Sequence, residues 1–306
     1  RNIIVSDKNR SQAESPQGAI ILHNNIGTAP GLILTKEHFT FIALPGVPFE
    51  MQHIIDEKAI PFLLNQFKIT PPFTKTFLFT DITESLLAEK TELWDNELRR
   101  NHIQTAYLPQ PGIIKLKLYS PHLTSEQIVV IDRFIHFAQN ELNDYLAYIG
   151  DIPFAKLIGK LLIKQNATVA TAESCTGGYI AHLLTSIPGS SKYFKGSIIA
   201  YSNEVKINIL KVPENSINQY GAVSQAVVEK MAKKTLETFN TDYAIAVSGI
   251  AGPDGGSDEK PIGTTWMAVA SKNNIISQKQ IYTGDRLRNI ERASISALNM
   301  LRKLIT

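Results

Sequence analysis

Thr168-Val-Ala-Thr-Ala-Glu-Ser-Cys-Thr-Gly-Gly178 is the stretch on which the fold turns. Its first half is small, apolar and β-branched, as a buried strand requires, and its second half is a turn of small residues running into Tyr179-Ile-Ala-His-Leu-Leu184, which has helical character. A strand that passes through a glycine turn into a helix is the repeating unit of layered α/β domains, and such sheets place ligands at the carboxyl ends of their strands. Ser174 then lies at a crevice. Gly177 and Gly178 would let backbone N–H groups approach an anion at the helix N-terminus. Two readings of Ser174 are open at this point, a nucleophile facing that crevice and the N-cap of a tight strand-to-helix turn.

Working outward, the same alternation fills the C-terminal half. A helix is expected over 155–164, strands over 168–172 and 197–201, helices opening near Asn203 and from Ser224, and a strand over 243–247. A Gly-rich loop, strands over 266–270 and 275–282, and a closing helix capped by Asp285 complete it. Upstream, Asp151-Ile152-Pro153 marks one boundary and Thr70-Pro71-Pro72 another, because consecutive prolines end a helix and fix an extended connection. The expected organisation is α/β over residues 1–70, a small α+β unit over 71–150, and an α/β layered sandwich over 151–306. Within the first segment a helix from Pro48 is expected to bury Met51, Ile54 and Ile55. Within the second, a long helix opening at Ser125 is expected to bury Ile128, Ile131, Ile135 and Leu142.

Composition narrows the class. With 306 residues, 43% hydrophobic and 19% charged, the chain suits two or three globular domains. No run of about 18 apolar residues is present, so a cytoplasmic protein without membrane partners is expected. The single cysteine, Cys175, rules out an intramolecular disulfide and multi-cysteine metal sites. The net charge of +3 is scattered among acids, which argues against direct nucleic-acid binding. The α+β unit could suggest a single-strand nucleic-acid module, but it has no Gly-x-x-Gly clamp. The opening Arg1-Asn2-Ile3, with no Met, and the polar residues 6–12 suggest a fragment.

A nucleophilic serine needs a base, and His182, the only histidine after residue 151, sits on the helix beyond the turn. Tyr201 and Lys206, in Tyr201-Ser-Asn-Glu-Val-Lys206, could face the crevice from the next strand end, a serine–lysine arrangement. For that role Lys206 has to be neutral, well below the usual ~10.4; the competing reading is an exposed helix lysine. The loop Ser248-Gly-Ile-Ala-Gly-Pro-Asp-Gly-Gly256 follows a buried strand and resembles a substrate cradle, though it is neither a Walker loop nor a dinucleotide fingerprint. Arg286 in Gly284-Asp-Arg286 is a candidate phosphate fork.

Thr171-Ala-Glu-Ser-Cys-Thr-Gly-Gly178, Tyr-Ser-Asn-Glu-x-Lys, Gly221-Ala-Val-Ser224, the loop at 249–256 and Lys260-Pro-Ile-Gly-Thr264 together resemble the CinA C-terminal domain over about 153–306. The resemblance implies a nicotinamide-nucleotide amidohydrolase that converts nicotinamide mononucleotide to nicotinate mononucleotide and ammonia. It puts the catalytic roles on Ser174, Tyr201 and Lys206, with no cofactor and no catalytic metal. Substrate contacts are expected at Thr176, Gly177, Gly178, Asn203, Ser248, Gly249, Gly252, Gly255, Gly256, Lys260 and Arg286, in a homodimer. Asn9-Arg-Ser-Gln-Ala13, Pro16-x-Gly-Ala19, Asn25-x-Gly-Thr-Ala-Pro-Gly31 and Leu44-Pro-Gly-Val-Pro-x-Glu-Met51 resemble the rear half of the molybdopterin-binding-like domain of full-length CinA proteins. The middle unit corresponds to their KH-like domain. The front half, with its Gly-Gly-x-Gly-Pro-x-x-Asp-Asp segment, is expected before Arg1. The family's alternative activity, a metal-dependent ADP-ribose pyrophosphatase, would require that segment and a divalent metal; a competence or DNA-damage module is the non-enzymatic alternative. Thr80-Asp-Ile-Thr-Glu-Ser85 departs from the family, which tends to have Gly before Glu-Ser.

Overall fold

Apolar residues that alternate along 31–36 and 39–43 pair into a small sheet at the front of the chain, whose computed structural model describes residues 14–306. The motif at 9–13 and the polar stretch before it lie outside the described residues. Strands β1 (Ile20–Leu22), β2 (Gly31–Lys36) and β3 (Phe39–Ala43) form an antiparallel sheet in that order. Helix α1 (Pro48–Ile54) runs through a π-helical turn (Ile55–Ala59) into α2 (Ile60–Gln66). The described residues divide after Pro72 into two compact units.

The core of the first unit is Leu22, Ile33, Ile54 and Ala59. Of the three residues expected to be covered by the helix from Pro48, only Ile54 is buried, while Met51 is exposed and Ile55 half-buried. The π-helical turn brings Ile54 and Ala59 to the same patch. A sheet three strands wide offers too narrow a face to cover Met51 as well.

In the second unit, β4 (Phe73–Thr80), α3 (Glu84–Arg100), β5 (Gln104–Gln110), β6 (Ile113–Ser120), α4 (Ser125–Glu141) and β7 (Leu146–Ile149) make an antiparallel sheet of order β5-β6-β4-β7 with two helices packed on it. Phe134 of α4 sits at the centre, edge-on to Phe77 at 5.0 Å and to Trp94 at 5.7 Å between ring centroids. That large ring sets the phase of α4. Val130, Ile131, Phe134 and Ala138 face inward with Leu142 just beyond the helix, Ile135 is half-buried, and Ile128, expected in the core, is exposed. A capping box between Thr124 and Gln127 reinforces the rotation, since Gln127 is drawn inward to reach the Asn101 carbonyl at 2.8 Å. Where the family resemblance expects Gly, Thr83 caps α3 by accepting from the Leu86 N–H.

The C-terminal part is a three-layer α/β sandwich. Its elements are α5 (Phe154–Lys164), β8 (Val169–Glu173), α6 (Tyr179–Thr185), β9 (Phe194–Ile199), α7 (Asn203–Asn208), α8 (Glu214–Tyr220), α9 (Gln225–Phe239), β10 (Tyr243–Gly249), β11 (Thr264–Ser271), β12 (Ile275–Ile281) and α10 (Arg286–Ile305). The sheet order is β12-β11-β10-β8-β9, with β8 parallel to both neighbours and β11 and β12 antiparallel. Helices α5, α6 and α10 cover one face through Val169, Ile245, Val247 and Met267; α9 and the short helices before it cover the other through Ala172, Val227, Val228, Ala246 and Ala268. Cover on both faces explains why β8 is buried at every position. Asp81, at φ 58°, ties the α+β part to this sandwich by accepting from Asn299 Nδ2 at 2.8 Å and Lys303 Nζ at 2.7 Å.

At the head of β11, Gly263 has φ 89°, and a Cβ there would lie 1.9 Å from the Tyr282 carbonyl oxygen. Backbone cannot yield as a flexible side chain does. Gly263→Ala is expected to cost about 3 kcal/mol or more, combining positive-φ strain with a pushed-apart β11–β12 edge. A melting midpoint equal to that of the wild type would contradict this account.

Candidate active site

The amide of Ser174 donates to the Val247 carbonyl at 2.9 Å, which carries the parallel pairing of β8 with β10 one residue past the strand. The chain then folds back as Gly177 N–H donates to the Ser174 carbonyl at 3.1 Å. Ser174 is therefore not the helix cap. That position is held by Gly178, in the left-handed region at φ 97°, where a Cβ would be strained.

Glu173 does the work of a cap. Its buried carboxylate accepts from the N–H groups of Gly178 at 3.1 Å, Ile180 at 3.0 Å and Ala181 at 2.8 Å, and from Thr171 Oγ1 at 3.2 Å. The start of α6 is thus already occupied by an anion from the chain itself. This corrects the expectation that the Gly177 and Gly178 amides receive a substrate anion, because both are committed internally. Glu173→Ala strands several buried donors, and a loss of about 3 kcal/mol in denaturant unfolding is expected; an unchanged midpoint would remove this role.

Lys206 is 1% exposed, which eliminates the reading as a surface lysine. Its Nζ lies 3.0 Å from Ser174 Oγ, 2.8 Å from the Ala200 carbonyl oxygen and 3.3 Å from that of Tyr201. The placement follows from local structure. Beyond β9 the chain leaves the sheet, Ser202 caps α7 by accepting from the Val205 N–H at 3.2 Å, and Lys206, four residues past the cap, reaches back to the Ala200 and Tyr201 carbonyls. Burial lowers the Lys206 pKa from its ordinary value, opposed only by negative charge on Cys175. Cys175 is itself held as a thiol, since burial pushes its pKa up to about 12. A neutral amine here has two N–H donors for two carbonyls. Its lone pair is left for the Ser174 hydroxyl proton.

The Tyr201 side chain does not join the Ser174–Lys206 contact. The residue is 58% exposed, and its hydroxyl accepts from Arg286 Nη2 at 2.8 Å, with no hydrogen bond from that hydroxyl to Ser174 or Lys206. Arg286 Nη1 donates to the Gly252 carbonyl at 2.7 Å, so Tyr201, Arg286 and the Gly-rich loop form one chain of contacts. Sequence reading missed Asn289, three residues along α10 from Arg286. Its Nδ2 donates to the carbonyls of Ala251 at 3.1 Å and Gly284 at 3.0 Å. A polar residue on the inward face of an amphipathic helix was the available signal.

The remaining predicted residues spread over several places. Ser248 Oγ donates to the Ala222 carbonyl at 2.8 Å, and Gly249 packs its backbone against Thr264 and Thr265. Gly255 and Gly256 continue the loop, with Gly256 against Ile262. Lys260 Nζ donates to the Tyr220 carbonyl at 3.2 Å beside Ser224, Glu229 and Trp266, a cleft separate from the Ser174–Lys206 contact. Asn203 is exposed at the start of α7, and His182 is exposed with its ring 6.0 Å from that of Tyr179. Thr176 is buried two residues beyond Ser174.

The family model for the CinA C-terminal domain matches residues 151–305, the whole of the sandwich that carries Ser174 and Lys206. The chain belongs to the CinA family. A CinA-like protein of Flavobacterium psychrophilum is 37% identical over 314 residues, covering 98% of this chain and 72% of its own. One of Trichodesmium erythraeum is 39% identical over 312 residues, covering 99% and 72%. Among solved structures, the competence/damage inducible protein CihA of Agrobacterium tumefaciens is 36% identical and covers 50% of this chain and 94% of its own, with a TM-score of 0.49. Among the described residues of this CinA chain no helix is long and apolar enough to cross a membrane. No three His, Cys, Asp or Glu side chains among them converge as metal ligands.

Proposed function

We propose that the C-terminal domain hydrolyses the carboxamide of nicotinamide mononucleotide, with Ser174 as nucleophile and Lys206 as its base. The observation that supports this is the buried contact of 3.0 Å between Lys206 Nζ and Ser174 Oγ, with carbonyls as the other two neighbours of the amine. The amide substrate comes from the CinA resemblance.

Ser174 Oγ attacks the carboxamide carbon as its proton passes to Lys206. The tetrahedral intermediate collapses, the C–N bond breaks, and the Lys206 ammonium returns the proton to the departing ammonia. Water, deprotonated by the same amine, then attacks the acyl-enzyme to give nicotinate mononucleotide and free Ser174. A positioned base of this kind contributes about 10²–10⁴-fold. The cycle needs only side chains and water.

Arg286 has two of its five N–H donors committed to Tyr201 and Gly252, which leaves others for the substrate phosphate. In this reading Tyr201 is a positioning residue that holds the guanidinium. A homodimer is carried over from the family, and a sedimentation mass checks it. Ammonia release from nicotinamide mononucleotide by the wild type, and its loss in Ser174→Ala, tests the whole.

A further inference from the structure

We propose that Thr176 provides a hydroxyl donor to the oxygen of the scissile carbonyl, completing an oxyanion site with the backbone N–H groups of Cys175 and Thr176. The inference rests on the reading of Ser174 as an acyl-transfer nucleophile, but not on the identity of the amide.

Thr176 is 3% exposed, and its Oγ1 is buried without a hydrogen-bond partner. Such atoms are uncommon because each forfeits its bonds to water without replacement, and each calls for an explanation. Two other buried threonines satisfy theirs through the carbonyl four residues back, Thr91 with Leu87 and Thr235 with Met231, and Thr171 does so through Ser197 and Glu173. Thr176 has no such bond. Of the five orphaned buried atoms among the described residues, three flank the strand ends around Ser174: those of Thr176, of Thr264 beside Gly249, and of Asn289 under the Gly-rich loop.

The backbone points the same way. The Gly177 amide closes the turn on the Ser174 carbonyl, and the amides of Gly178, Ile180 and Ala181 are taken by Glu173. The amides of Cys175 and Thr176, central in that turn, donate to no backbone carbonyl among the described residues. Three unengaged donors therefore lie within two residues of the nucleophile. As the Ser174 Oγ–C bond forms, the carbonyl π pair moves onto oxygen. These donors meet that charge, and the Thr176 hydroxyl keeps its own proton.

The test pairs Thr176→Val, which keeps the shape and removes the hydroxyl, with Thr176→Ser, which restores it. Two readouts are followed, the rate at which a fluorophosphonate modifies Ser174, read by intact mass, and steady-state ammonia release from nicotinamide mononucleotide. For Thr176→Val, labelling is expected to slow at least about 10-fold and kcat to fall about 10²-fold, with KM nearly unchanged. Thr176→Ser is expected to stay near the wild type, and the melting midpoint of Thr176→Val is expected not to drop. A Thr176→Val protein labelled as fast as the wild type, or one in which only KM or the melting midpoint moves, would overturn the proposal. So would a wild type not labelled at Ser174, which would sink the nucleophile with it. Slowed labelling in Thr176→Val, together with no ammonia from nicotinamide mononucleotide even in the wild type, would uphold the oxyanion site and reject the substrate.

Discussion

Ser174→Ala is expected to abolish ammonia release from nicotinamide mononucleotide, by at least about 10³-fold in kcat, while the protein stays folded. The hydroxyl makes one hydrogen bond, to Lys206, whose amine keeps the Ala200 and Tyr201 carbonyls when it is gone. Removing it should change stability by no more than about 1 kcal/mol. Cys175 cannot take over, because it is buried and its pKa is pushed up to about 12. Ammonia assays alongside thermal melting of the variant check both halves. Activity within tenfold of the wild type would place the chemistry on another group.

Lys206→Met should reduce kcat by about 10²–10⁴-fold, since it fills the same space and removes the base. The pH dependence is more telling. Burial lowers the pKa of Lys206, and only the neutral amine accepts the serine proton, so kcat/KM of the wild type should rise with pH through that lowered value. Linkage gives stability the same sign. Between the lowered folded pKa and the unfolded value of 10.5, the unfolded chain holds the extra proton, so this group makes wild-type stability rise with pH across that window and adds no slope below it. Lys206→Met should lose both slopes. An unaltered pH profile of the residual activity would assign the base elsewhere.

Much of the fold is legible from local pattern. The switch from period two to helical spacing around 168–184 marks a strand, a turn and a helix, and Asp285 is recognisable as the cap it proves to be, accepting from the Arg288 N–H at 2.9 Å. Phase errors arise where one large side chain overrides the periodicity, as Phe134 does in α4. They also arise where the partner surface is narrow, as beneath Met51. The burial of Glu173 was unreadable for a different reason. A carboxylate in a strand is ordinarily a solvent-facing residue, and only the return of α6 over the strand end brings three amides to it.

By itself, the sequence determined that a small-residue turn follows a buried strand, that no histidine is suited to serve Ser174, and that Lys206 and Tyr201 stand one strand further on. Those are properties of residue type and spacing, which the chain carries whatever its fold. Tertiary structure alone decided which of them meet. The order β9-β8-β10 sets the end of β9 beside that of β8, so Lys206 is buried against Ser174 while Tyr201 turns outward to Arg286, 85 residues away along the chain. The turn at Thr171–Gly178 thus becomes a place where helix amides serve Glu173 and a desolvated lysine meets Ser174, because only packing removes water from that amine.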